Sequence, residues 1–417
     1  LNMKRSDIND AANDAAAFPG SWISRRSLLA GAAVLGAAAL KSGPTGSRSF
    51  LAYFGTYTGA GGNGQGIYLF NLNLDSGKLT PVKLAAKTDS PGWLALHPNG
   101  KFLYTTNEIP NFKGRKTGAV SAWSITRSNG DLTFLNVVSS GGAGPAHMSV
   151  DPKGQFAFVA NYAGGSVAVL PINQTNGSLG NATHVVPGRG MAAVGPAKAT
   201  SAPPGSFAIS GHDEPHAHMI ETDPAGKFVI STDLAEDRIH VWALNRSNGT
   251  LSLASSIATP PGDGPRHFVF HPTRNWMYSL QEESSTIIFF TYEPQSGRLT
   301  AKKTCSSLPP GFAGTNFTSE IRISPNGRFL YAANRLHDTI AAFAIGGDGA
   351  LNRVGETPTG GDYPRSFTID PTGNFIFCCN QHGDSVTTFR INPQTGALQF
   401  TGAYTPVGSP GSIVFLT

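Results

Sequence analysis

A short segment recurs along this 417-residue chain, and that repeat limits the folds open to it more than any other feature. HPNGKFLYTTNE begins at His97, DPKGQFAFVANY at Asp151, DPAGKFVISTDL at Asp223, HPTRNWMYSLQE at His271, SPNGRFLYAANR at Ser324 and DPTGNFIFCCNQ at Asp370. A unit of this size cannot bury its apolar face alone and must stack against its neighbours. In each copy a Pro-x-Gly turn leads into an alternating apolar run, which is how a tight turn feeds a half-buried strand. One turn is degenerate, with Arg274 in place of glycine.

A second marker counts the units. Gly-x-Leu occurs at Gly77, Gly130, Gly177, Gly249, Gly297, Gly349 and Gly396, at intervals of roughly 50 residues apart from one of roughly 70. Between the markers the chain reads as four short antiparallel strands per unit. Seven outer turns against six Pro-x-Gly turns leave the first unit without its innermost strand. SPGSIVFLT, from Ser409 to Thr417, parallels SPGWLALHP, from Ser90 to Pro98, and supplies that strand. The sequence therefore predicts an all-β, seven-bladed propeller with four-stranded antiparallel blades, closed by its C-terminal strand so that few strand edges are exposed.

Residues 1–47 read as an export signal and linker, and 48–417 as the propeller. Ser24-Arg25-Arg26-Ser27-Leu28-Leu29 runs into AGAAVLGAAAL, a charged segment followed by an apolar run too short to span a bilayer comfortably. The arginine pair resembles a twin-arginine signal, which predicts a periplasmic or secreted protein with no membrane association once the signal is removed. A cytoplasmic location is the alternative. The net charge of +5 partly reflects this region. No later Lys/Arg block interleaved with aromatics suggests a nucleic-acid partner. Three cysteines, two of them adjacent at Cys378 and Cys379, give neither an even disulfide framework nor a metal-type spacing.

The repeat register locates a site. Six residues before each turn proline lie Gly92, Ala146, His218, Arg266, Ser319 and Arg365, with Gly411 equivalent in the closing strand. Ten residues after it lie Glu108, Tyr162, Leu234, Glu282, Arg335 and Gln381, with Tyr57 equivalent in the first unit. The first set begins the innermost strands and the second ends the strands beside them, so both converge on one mouth of the central channel. Positions that only pack would repeat one small or apolar residue; these carry charge.

The opening YFGTYT with GIYLFNLNLDSGKL, the DPxGxFxxxxN units and the segments PHAH and GPRH resemble the lactonase family of seven-bladed propellers across the chain after Arg48. That family includes bacterial 6-phosphogluconolactonases and the fungal carboxy-muconate cyclase. The resemblance implies a small anionic lactone or carboxylate as substrate. The cyclase branch uses a His, a Glu and two Arg, which match His218, Glu282, Arg266 and Arg335 here. On this reading His218 titrates near neutral pH and Glu282 orients or deprotonates a water. Arg335, Arg365, Glu108, Tyr162 and Gln381 complete the substrate-binding face. Blade-to-blade ion pairs lining a wet channel are the plainer account of the same charges.

No cofactor is expected, and no metal: His216 and His218 alternate onto one strand face, but no further ligand completes a shell. His147 and His267 are expected between blades as core groups, and His97 and His271 as turn residues. Asn107, Asn161, Asn334 and Asn380 recur in register and are expected to hold backbone. The Gly/Pro/Ala-rich stretch 181–214 reads as an insertion crossing the charged mouth, a candidate lid. Two functional classes stay open. One is a lactone enzyme, most simply a 6-phosphogluconolactonase-like hydrolase with muconate-type cyclisation as alternative; the other is an exported, non-enzymatic propeller binding a ligand or protein at the same mouth. Export sits awkwardly with a phosphorylated sugar lactone, which is a cytosolic intermediate.

Overall fold

The computed structural model describes residues 49–417. The expected signal lies outside the described residues. Within them the chain forms seven four-stranded antiparallel sheets and one short parallel pairing. These are the seven blades, numbered here in chain order. Six are contiguous, with innermost strands at Leu94–Leu96, Pro145–Val150, Ala217–Thr222, Pro265–Phe270, Thr318–Ile323 and Pro364–Ile369 in blades 2 to 7. Blade 1 takes Ser49–Thr56, Ile67–Asn73 and Leu79–Ala86 from the start of the described chain and Pro410–Leu416 from its end. No helix among the described residues is long and apolar enough to cross a membrane.

The blades are packed face to face by apolar clusters that span neighbouring sheets. One joins Phe54, Phe70 and Ile413 of blade 1 to Phe375, Phe377 and Val386 of blade 7, so the closing strand is part of the core and not an appended edge. The repeat residues do the rest. Tyr53, Tyr104, Tyr278 and Tyr331 each donate their buried hydroxyl to the carbonyl of the outer-turn glycine in the next blade, at 2.9–3.0 Å. Those glycines have positive φ, and at Gly177 and Gly396 a side chain would also collide with the Phe102 or Phe329 ring of the preceding blade. Glycine is therefore required twice over there.

The turn expectations hold, and so does the expectation for three of the four asparagines, Asn380 donating instead to the Thr387 hydroxyl at 3.1 Å. His97 Nε2 meets the Gly154 carbonyl at 3.1 Å and His271 Nε2 meets that of Gly327 at 2.9 Å, so each turn histidine ties its blade to the next turn. Asn107, Asn161 and Asn334 donate to the backbone carbonyls of Asp89, Ser140 and Ser307. All three cysteines are free thiols. The expected insertion starts later than the sequence suggests. His184–Pro187 pairs as the outermost strand of blade 3, leaving 188–214 as the crossing segment.

Removing residues 411–417 strips the innermost strand of blade 1, including buried Ile413 and Leu416. Burial of those two side chains alone accounts for about 3–6 kcal/mol, and the lost strand leaves an unpaired edge. A clear fall in melting temperature with concentration-dependent aggregation is expected; an unchanged melting curve would contradict closure through this strand.

Candidate active site at the channel mouth

In six blades the pairing register slips near the start of the inner strand, and the slip explains the site. Pro265 pairs with Gln281 but His267 pairs with Leu280, so Arg266 is an extra residue. His218 in blade 4, Arg365 in blade 7 and Ala146 in blade 3 are placed the same way. In blade 6 the slip falls across Ser319 and Glu320, and in blade 1 it falls beside Gly411. A β-bulge of this kind bends the strand and re-aims a side chain. Here it turns His218, Arg266 and Arg365 toward the channel.

Glu282 ends the second strand of blade 5 and binds two guanidinium groups. Its Oε2 lies 2.8 Å from Arg266 Nε and 2.6 Å from a terminal nitrogen of Arg335 in blade 6. All three are buried, Arg266 to 1 % exposure. Burial alone would raise the Glu282 pKa, but the charges of Arg335 and Arg266 outweigh it and hold the carboxylate below its usual range. Arg266 also donates to the Ser319 carbonyl. Arg335 donates to the Tyr363 hydroxyl at 3.1 Å and lies over the Phe317 and Tyr363 rings.

A second pair stands beside the first. Tyr57 donates to Glu108 at 2.9 Å and accepts from Arg365 Nε at 3.1 Å, while Arg365 reaches Glu108 at only 3.9 Å. Tyr162 stacks on His216, with ring centroids 4.3 Å apart and planes 9° apart, and meets His218 edge-on at 5.5 Å. His216 is bonded to the Tyr162 carbonyl and to Asp213. Among the described residues no three His, Cys, Asp or Glu side chains are arranged to hold a metal ion.

Four expectations change. His218 does not titrate near neutrality: burial first, then Arg266, His267, Arg365 and Arg335, push its pKa well down, so the imidazole is neutral at pH 7. Glu282 is locked between two arginines and is a weak base. Gln381 stands apart from the charged cluster, lining a surface pocket with His382, Asp384 and the turn 59–63. His147 and His267 do not sit between blades as core groups. They form a run of edge-on rings with His218, at 5.1 Å and 5.5 Å between centroids, and Trp93 packs on both. Beyond them a cavity of about 380 Å³ opens deeper in the channel, lined by Trp93, His147, Glu221, Glu320 and Arg322 among others.

Sequence reasoning missed Tyr363, which has φ of +60° where blades 3 and 5 carry Gly144 and Gly264. A tyrosine in a glycine conformation costs on the order of 1 kcal/mol or more and is tolerated here while it holds Arg335. The crossing segment 188–214 packs on the loops at this mouth. Gly195 donates to the Ala235 carbonyl at 2.7 Å, Thr200 to that of Pro261 at 3.0 Å, and Ser206–Phe207 pairs in parallel with Gly314–Thr315. Ser210 donates to Glu283, whose pKa is raised to about 9 by burial and by Glu282. The segment also brings in buried His212, whose Nδ1 lies 3.4 Å from Glu283. A side chain at Gly211 would collide with the Tyr162 hydroxyl and the His216 ring.

Residues 51–415 match the family described as lactonase, 7-bladed beta-propeller. The chain belongs to that family. It is 34% identical to the 6-phosphogluconolactonase of Bacillus subtilis over 76% of this chain and 84% of that one. Among solved structures it resembles the periplasmic gluconolactonase of Pseudomonas aeruginosa, with TM-score 0.77 and 28% identity over 89% of this chain and 99% of the other. A Lactobacillus plantarum protein aligns with TM-score 0.77 and 30% identity, covering 89% and 100% of the two chains. The lactonase propeller thus supplies the ring, and the bulges supply its mouth.

The buried histidines set an acid limit on stability. His267 has its pKa lowered from the usual 6.5 to about 4, by burial first and despite Glu320, and His147 and His218 are lowered as well. A folded pKa below the unfolded one means that the unfolded chain binds more protons between the two values, so stability is full above pH 6.5 and falls as pH drops toward 4. His267 alone accounts for about 3 kcal/mol. Asp233 and Asp237, raised to about 6 by burial, and Glu283 bind protons more readily folded than unfolded and oppose this loss. Between pH 7 and 4 the wild type should therefore lose about 3 kcal/mol more than His267→Asn in urea unfolding; parallel profiles would contradict neutral burial.

Proposed function

We propose that this protein hydrolyses a sugar-derived lactone at the bulge-built mouth. One observation carries the reading: a neutral, buried imidazole, His218, stands in the field of three guanidinium groups of which only two are balanced, by Glu282 and Glu108. The cluster keeps one net positive charge, matched to the single negative charge that develops on a lactone carbonyl oxygen under attack.

His218 takes a proton from water as the water oxygen bonds to the carbonyl carbon. Arg335 and Arg266, fixed by Glu282, face the resulting oxyanion. The ring C–O bond then breaks, and the imidazolium returns the proton to the departing alkoxide. The surrounding arginines make that imidazolium a strong acid, which favours the second transfer. The product is a hydroxycarboxylic acid that ionises in solution. Arg365, held loosely by Glu108, is the group left for an anion elsewhere on the substrate. Support for lactone opening also comes from the relatives named as a 6-phosphogluconolactonase and a gluconolactonase. The second of these is a periplasmic protein, which together with Arg25 and Arg26 of this chain favours export and so an unphosphorylated sugar lactone.

Purified protein should therefore open gluconolactone in a pH-stat faster than its 6-phospho derivative or a carboxy-substituted muconolactone. His218→Ala should lower kcat roughly a hundredfold or more. Glu282→Gln should cost about 3–5 kcal/mol of stability as well as activity, because it strands two buried arginines. No lactone opened by the wild type, or full kcat in the folded His218 variant, would contradict the proposal.

A further inference from the structure

Beyond the mouth, the bulges bring a second layer of side chains into the channel, one residue further along each strand. His267 follows Arg266, and Glu320 follows Ser319. Glu320 is buried to 1 % exposure and accepts at Oε1 from the Ile321 amide at 3.0 Å and from His267 Nδ1 at 3.2 Å. Its other oxygen accepts from Arg322 at 3.4 Å. Burial works against this carboxylate, but Arg322 and His267 hold its pKa to about 2.

An ionised carboxylate only accepts, so the proton of the neutral His267 ring must sit on Nδ1. Nε2 is then a bare lone pair, and it is buried without a partner. His218 Nδ1 is likewise buried without a partner. The two rings are 5.1 Å apart at 69°. Two orphaned nitrogens on neighbouring buried rings are costly unless one donates to the other or a water joins them.

We propose that Glu320 and His267 are positioning residues for His218: the carboxylate fixes the His267 proton on Nδ1, and His267 Nε2 accepts from His218 Nδ1–H directly or through one water, leaving His218 Nε2 as the base. This rests on the lactonase reading of His218 for its catalytic consequence, but the tautomers themselves do not. The groups facing His218 are Tyr162 from blade 3, Arg266 and His267 from blade 5, Arg335 from blade 6 and Arg365 from blade 7. Those facing His267 are Glu320 and Arg322 from blade 6, Arg266 beside it, and the His147 and Trp93 rings. Among these only Glu320 accepts a hydrogen bond from His267 Nδ1.

Glu320→Met tests the idea. The Ile321 amide and Arg322 would keep an amide oxygen on the His267 side, so glutamine would leave the tautomer as it is, whereas methionine offers His267 Nδ1 no acceptor. His267 then carries its proton on Nε2, facing His218, and the His218 proton is driven to the substrate side. A roughly hundredfold loss of kcat with KM changed less than about threefold is expected, the scale of a lost base. The acid limb of the kcat/KM profile should also move to lower pH, and Glu320→Asp should recover part of the rate.

Wild-type kcat with an unmoved acid limb in Glu320→Met would overturn the proposal. Nitrogen-15 histidine spectra of the wild-type protein at pH 7, assigned with His218→Asn and His267→Asn, give an independent readout should the variant not fold. Protonated Nδ1 and bare Nε2 on His267, with protonated Nδ1 on His218, are expected; a bare Nδ1 on His267 would overturn the inference. Failure of the wild type to open any lactone would sink the proposed function and leave this tautomer test standing.

Discussion

Six of the seven inner strands of this propeller carry one residue more than the strands they pair with, and the chemistry of the mouth depends on where that residue goes. Regular alternation would send Arg266 and His218 to one face of a blade and leave them between sheets, where a charge has no place. The bulge turns them into the channel. It also leaves the next residue free to follow, which is how His267 and Glu320 come to line the channel below. The ring geometry is shared by all the blades, so function is written in what each bulge happens to carry.

Gathering these groups has an electrostatic cost that the structure answers in two ways. Arg266, Arg335 and Glu282 are buried as charges and survive by pairing, with one carboxylate oxygen serving two guanidinium groups. His147, His218 and His267 are buried as neutral rings, because burial and the arginines drive their protons off. The same positive field that helps keep His218 neutral would stabilise an oxyanion beside it. Buried pairs of this kind contribute little net stability, and their retention fits a site more than a scaffold.

Much of this was legible in the chain. The Gly-x-Leu and Pro-x-Gly turns counted the blades, SPGSIVFLT announced the closing strand, and the offsets from each turn proline found His218, Arg266, Glu282 and Arg335. The register could not show the slip that a bulge introduces, because apolar alternation reads the same on either side of it. His267 and Glu320, one step on, were therefore read as core or not singled out. Gln381 obeyed the offset yet turned to a surface pocket, since the rule fixes a backbone position and not a side-chain direction. His212 comes from a connection outside the repeat, where no periodicity exists to read, while Tyr363 holds a repeat position just before Pro364 that neither polar offset included. The insertion was set too early because His184–Pro187 is a short strand in a glycine- and proline-rich context.

The account stands on the mouth being the place where a lactone opens. A crystal structure of the protein with bound gluconate, the hydrolysis product of gluconolactone, tests this most directly. The carboxylate should lie against Arg335 and Arg266 with His218 within hydrogen-bond reach of its carbon-bound oxygens, beneath the segment 188–214. Gluconate seated instead in the deeper cavity by Trp93 and Glu221, or on an outer blade face with the mouth empty, would contradict it.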